Sequence, residues 1–239
     1  MSSTPQVRTL AGLVATRLFD AQLAALAWLL LERGVPVLAA GSDVASAASL
    51  LDALVGALPP DRRPGAGTPG AAGRLVRVGE TLTPGTAPGV LRAALGATTG
   101  RSGLVALVDA ADLAGVLAVL ARQRLTDDEA SFLGVVIVAD RRAEAGGEPR
   151  VTSAHYLRPL VLDAGGHPRR QRPAILATWE PGADRWEDFA WGIGPDLAER
   201  CLMRAGDFEL ERGRRADLLA GHAPGGHAHG GHAHGGPVG

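Results

Sequence analysis

The chain has 239 residues, 46% of them hydrophobic and 21% charged, which is typical of a soluble globular protein and enough to bury a sizeable core in one large or two small domains. A formal net charge of -1 removes the general case for nucleic acid or an anionic membrane surface as partner. The single cysteine, Cys201, excludes an internal disulfide framework and cannot alone build a structural metal site, which suits a reducing cytoplasm. The N-terminus lacks the basic, apolar and small-residue order of a signal peptide. The apolar run over residues 21–31 is too short to span a bilayer and is broken by Glu32, Arg33 and Gly34, so no membrane insertion is expected.

Residues 1–19 are of mixed character and are expected as an extended arm. Asp20 is placed to N-cap a helix over 21–33, which Gly34 stops. Residues 35–40, VPVLAA, form the short continuous apolar run of a parallel strand covered on both faces. The strand breaks at Gly41 and runs into a helix whose Val44, Ala47, Ala48, Leu51, Leu54, Val55 and Leu58 share one face, ended by Pro59-Pro60. A glycine turn between a buried strand and a helix N-terminus is where backbone N–H groups and the helix dipole converge on a phosphate. The candidate nucleotide-binding loop is therefore Gly41, Ser42, Asp43, Val44, Ala45, Ser46, Ala47, Ala48 and Ser49. Read against the P-loop pattern G-x-x-x-x-G-K-[ST], Ser46 stands for the second glycine, Ala47 for the lysine and Ala48 for the hydroxyl residue. No other lysine can compensate, because all 24 basic residues are arginine. Arg33 lies on the preceding helix, and a forked guanidinium does not substitute for a compact ammonium at the phosphates.

Residues 59–73, PPDRRPGAGTPGAAG, read as a linker or surface loop. A weaker strand over 75–78 runs into Gly79-Glu80, and Val90, Leu91, Ala94 and Leu95 have helical spacing. A strand over 104–108 ends at Asp109. Asp112 can cap the next helix, Thr126 to Glu129 forms a capping box, and residues 135–138 give one more buried strand. Strands alternating with helices predict an α/β domain with a mostly parallel sheet, ending near residue 142. After AEAGGEPR, strands over 151–162 and 173–179 and a hairpin at Pro181-Gly182 predict a small antiparallel β appendage over 143–220. Trp179, Trp186, Phe189 and Trp191 are expected to staple it to its neighbour. Two C-terminal helices near 196–204 and 208–219 finish it.

On these residues the first 142 resemble the ATPase core of the type II and type IV secretion and type IV pilus ATPases. LAALAWLLLERGVPVLAAGSDVASAASLLDALVGALPPD is similar to that family's helix, strand, P-loop and helix. LVRVGE resembles its Walker B strand, which puts Glu80 where the family's glutamate polarises the attacking water. LVALVDAADLAGVLAVL resembles the strand of the His box, with Asp109 in place of the histidine, and RVTSAHYLRPL resembles the sheet extension after the motor core. The resemblance implies a RecA-like P-loop NTPase core. It also implies a ring-forming habit, hence self-association or docking to an active ATPase paralogue as the protein partner. The functional positions are the ones that depart. A catalytically degenerate member is the expectation: a cytoplasmic binding, scaffold or regulatory subunit with no required cofactor, at most weak ATP binding, and Glu80 a vestigial catalytic position.

Residues 221–239 hold five of the seven histidines in a repeated Gly-Gly-His-Ala-His unit. A flexible glycine-rich tail can wrap one Zn²⁺, Ni²⁺ or Cu²⁺ ion with His227, His229, His232 and His234. Metal binding or delivery is therefore a second reading of the chain, and a residual NTPase with an atypical loop is a third. His155 and His167 lack a spaced partner and are expected to be structural.

Overall fold

Four apolar residues, Val37–Ala40, form strand β1 with no face left to solvent, so helices must cover the sheet on both sides. The computed structural model, which describes residues 9–64, 74–98 and 102–221, builds this arrangement. In chain order its elements are α1 (Leu10–Ala15), α2 (Ala21–Glu32), β1, α3 (Val44–Ala57), β2 (Val76–Arg77), α4 (Val90–Gly96), β3 (Leu104–Val108), α5 (Leu113–Arg122), α6 (Asp127–Phe132) and β4 (Val135–Arg141). There follow β5 (Pro149–Tyr156), β6 (Val161–Leu162), β7 (Pro168–Arg169), β8 (Ala174–Glu180), β9 (Arg185–Asp188), α7 (Gly194–Arg200) and α8 (Ala205–Gly221).

The main sheet has seven strands in the order β2-β3-β1-β4-β5-β8-β9. Strands β2, β3, β1 and β4 are parallel, and β5, β8 and β9 continue the same sheet antiparallel beyond β4. Alternate residues of β1 feed opposite layers, as the two-residue period of a strand requires. Val37 and Ala39 pack with α1, α2, α3 and α8, whereas Leu38 and Ala40 pack with α4 and α5. The first of these cores runs from Leu10 to Leu219, so it crosses from the parallel half into the antiparallel half. Strands β6 and β7 pair separately as a small hairpin.

Helix ends follow the local chemistry. The Asp20 carboxylate accepts from the Leu23 N–H at 2.7 Å to start α2, and Gly34 turns the chain after it at φ 87°. Asp112 caps α5 through the Gly115 N–H, and Thr126 and Glu129 complete the capping box of α6. The extended arm expected over residues 1–19 is corrected where the chain is described. Residues Leu10–Ala15 form a helix capped by Thr9, and Leu10, Leu13, Leu18 and Phe19 are buried. Six residues make fewer than two turns, too few for helical periodicity to register in the sequence. Residues 1–8, and 65–73 of the expected linker, lie outside the described residues.

Helix α8 is polar for most of its length and is anchored by charge as well as by Phe208, Ala216 and Leu219. Arg215 pairs with Glu32 at 2.6 Å and Glu211 at 2.8 Å, with its guanidinium carbon 4.4 Å from the centre of the Trp28 ring. Hydrogen bonds from Arg214 and then Arg215 pull the Glu211 carboxyl down to about 2 from an ordinary 4.5. A carboxyl depressed in the folded state contributes stability that is complete above pH 4.5 and is lost as pH falls toward 2. Acid unfolding followed by tryptophan fluorescence is therefore expected to steepen below pH 4.5, and Glu211→Gln to flatten that limb. An unchanged acid limb in the variant would contradict this role. No helix among the described residues is long and apolar enough to cross a membrane.

Candidate functional site

Ligands of open α/β sheets bind outside the carboxyl ends of the strands, at the point where neighbouring connections diverge. Here that point lies between β1 and β3. From β1 the chain crosses toward β2 through α3 on one face, and from β3 it crosses toward β4 through α5 on the other. The turn leaving β1 consists of Gly41, Ser42 and Asp43, because α3 already begins at Val44. Gly41 is needed for room: a Cβ there would lie 2.0 Å from the carbonyl oxygen of Ala139. The register of β4 against β5 shifts between Val138 and Ala139, so the turn is seated on an irregular stretch of β4.

Side chains fill the crevice above this contact. Ser42 Oγ donates to Asp140 Oδ2 at 2.8 Å, and Arg141 Nε meets Asp43 Oδ2 at 2.8 Å. Ser46 Oγ donates to the same Asp43 oxygen at 2.6 Å. That hydrogen bond holds the Asp43 carboxyl below the ordinary aspartate range, and Arg141 adds to the effect. The Asp140 carboxylate is buried and also accepts from the Arg141 N–H at 2.9 Å. Asp109 stands exposed at the end of the adjacent strand β3. Two carboxylates therefore occupy the mouth of the turn, with Asp109 beside it and Arg141 engaged by Asp43. This electrostatic setting opposes a polyphosphate and ties β1 to β4.

The nine loop candidates divide by exposure. Ser42 and Ala45 face solvent, Asp43, Val44, Ala48 and Ser49 are half-buried, and Gly41, Ser46 and Ala47 are buried. Ala47, at 0% exposure, belongs to the main core. Ser46 N and Ala47 N donate to the Asp43 carbonyl at 3.0 and 3.3 Å, so they are already spent inside the first turn of α3. Ser49 Oγ donates to the Ala45 carbonyl at 2.9 Å. Glu80 is exposed past the end of β2, and β3 separates β2 from β1. Two strand spacings put β2 about 10 Å from β1.

His227, His229, His232 and His234 lie outside the described residues. Among the described residues no group of three or more His, Cys, Asp or Glu side chains is placed to hold a metal ion. His155 sits in β5, where burial pushes its imidazole below the ordinary histidine value, and His167 is 3.5 Å from Asp163 in the β6–β7 turn. Of the aromatic group, Trp179 bonds Asp184 and Trp186 bonds the Val151 carbonyl, which staples the hairpin to β5. Trp191 is 76% exposed.

Sequence reasoning missed Asp140 and Arg141. The available signal was polar residues closing an apolar run, VVIVADRR, at the carboxyl end of a parallel strand. It also missed the cavities. One of about 480 Å³ lies against α5 and α6, one of about 270 Å³ lies between α1, α3 and α8, and one of about 580 Å³ lies beside Tyr156 and Arg200. None of the three is lined by a residue of the turn itself, although the second takes Asp52, Ala53, Gly56 and Ala57 from α3. No known family's sequence model matches the chain, and no curated protein matches it significantly.

Proposed function

We propose that the protein is a catalytically degenerate relative of the secretion and pilus ATPases, with a RecA-like core retained as a cytoplasmic binding, scaffold or regulatory subunit. The observation that carries this reading is the network of Ser42, Asp43, Ser46, Asp140 and Arg141, which fills the turn where a triphosphate would have to sit. Phosphoryl transfer rests on positioning and on charges aimed at the phosphates, each worth about 3 kcal/mol in the transition state. Ala47 and Ala48 supply neither the ammonium nor the magnesium-ligating hydroxyl, and Asp43 and Asp140 add charge of the wrong sign. A three-residue turn also leaves less backbone to wrap a phosphate than the P-loop pattern provides.

Binding to a second copy or to an active paralogue is the activity left to such a core. Trp191, Leu202 and Leu210, each more than 70% exposed around α7 and α8, support a protein contact there. Calorimetric titration with ATP and Mg²⁺ is expected to show either no binding or a Kd weaker than about 1 mM. Submicromolar, magnesium-dependent affinity would favour the residual NTPase instead. The Gly-Gly-His-Ala-His repeat supports the second reading, metal handling by the tail. Deleting residues 222–239 is expected to abolish Zn²⁺ and Ni²⁺ binding while leaving thermal unfolding of the metal-free protein unchanged. Undiminished metal binding after the deletion would remove that reading.

A further inference from the structure

The cavity of about 480 Å³ lies at the other end of the sheet from the Gly41 turn. Leu133 enters β4 and Leu157 leaves β5 at its floor, where Val135 pairs with Tyr156. Leu117, Leu120, Leu125 and Leu160 complete an aliphatic wall. The volume falls within the range of about 300–1,000 Å³ common to small-molecule sites, and so does the pattern of apolar walls with a few polar groups.

The polar groups differ in what they already do. Ser131 Oγ accepts from the Leu160 N–H at 3.1 Å, and Arg170 lies 3.3 Å from Asp127. Gln171 reaches the Pro159 carbonyl at 3.5 Å. Arg158 is half-buried, lines both this cavity and the one of about 580 Å³, and has no hydrogen-bond or ion-pair partner among the described residues. A guanidinium keeps its charge at every working pH, so an Arg158 with no counter-charge leaves the cavity short of an anionic group. A purely apolar ligand would leave Arg158 unmet. A compact polyanion would leave the leucines unfilled.

We propose that this cavity binds a medium-chain aliphatic carboxylate, its chain against the leucine wall and its carboxylate on Arg158. The site is independent of the Gly41 turn and of any nucleotide. A guanidinium–carboxylate pair in a partly dry site is a strong, charge-assisted contact. The headgroup should therefore decide affinity among ligands of equal chain length.

The test is calorimetric titration of the full chain with octanoate and with 1-octanol. Octanoate is expected to saturate a single site more tightly than 1-octanol, and Arg158→Gln to weaken octanoate roughly tenfold while leaving 1-octanol unchanged. Ala121→Phe narrows the cavity from an exposed helical position that keeps the fold and Arg158, and it is expected to weaken both ligands. Failure of octanoate to saturate a site would overturn the proposal. So would an octanoate affinity that Arg158→Gln or Ala121→Phe leaves unchanged.

Discussion

Replacing Gly41 by alanine is expected to destabilise the protein by about 3 kcal/mol or more, the scale of overpacking where neighbours cannot retreat. The obstacle is backbone: the new methyl would stand 2.0 Å from the Ala139 carbonyl oxygen, inside the sheet that β1 and β4 share. Neither strand can move away without breaking the ladder that pairs Val37–Ala40 with Val135–Val138. The matched control is Gly56→Ala in α3, where an added Cβ meets nothing within 4 Å. That change is expected to stabilise by about 0.5–1 kcal/mol, because it removes freedom from the unfolded chain and adds helix propensity. Urea unfolding read by tryptophan fluorescence separates the two. A Gly41→Ala protein as stable as the parent would mean that the turn is not clamped against β4.

Ala47→Lys is expected to destabilise by roughly 3–5 kcal/mol without creating nucleotide affinity, since an unpaired ammonium would be forced into the core. Ala47 is fully buried with Leu50, Leu51 and Leu54 on the inner face of α3, whereas Ala45 is exposed two residues earlier. Ala45→Lys should therefore change stability by no more than about 0.5 kcal/mol. The same contrast distinguishes this turn from a working phosphate cradle, in which a lysine at position 47 would turn outward and gain ATP. A stable Ala47→Lys protein that binds ATP with Mg²⁺ would contradict the degenerate reading of the site.

Much of the fold was legible from local pattern. The continuous apolar runs marked β1, β3 and β4, and Asp20, Asp112 and Thr126 announced three helix starts through side chains that the structure uses as caps. Gly34 and the Pro59-Pro60 pair marked two stops. What could not be read was long-range. RVTSAHYLRPL resembled a sheet extension, but its antiparallel pairing with β4 depends on register between segments, which local pattern does not carry, and the short helix α1 has too little periodicity. The candidate site divides in the same way. The glycine turn and its missing lysine are visible as sequence, but the partners that close it come from β4, nearly 100 positions downstream of Ser42. Arg158 reads in the sequence as an ordinary surface arginine. Only the packing of α5, α6 and β5 sets it half-buried at a cavity wall without a counter-charge.

Phosphate release by the purified chain at saturating ATP and Mg²⁺ tests the central claim most directly, with Glu80→Gln as its companion. The expected result is no release above the buffer rate from either protein. Sustained, magnesium-dependent turnover that Glu80→Gln abolishes would show that the β1–α3 turn still grips a triphosphate, and would contradict a mouth filled by Asp43, Asp140 and Arg141.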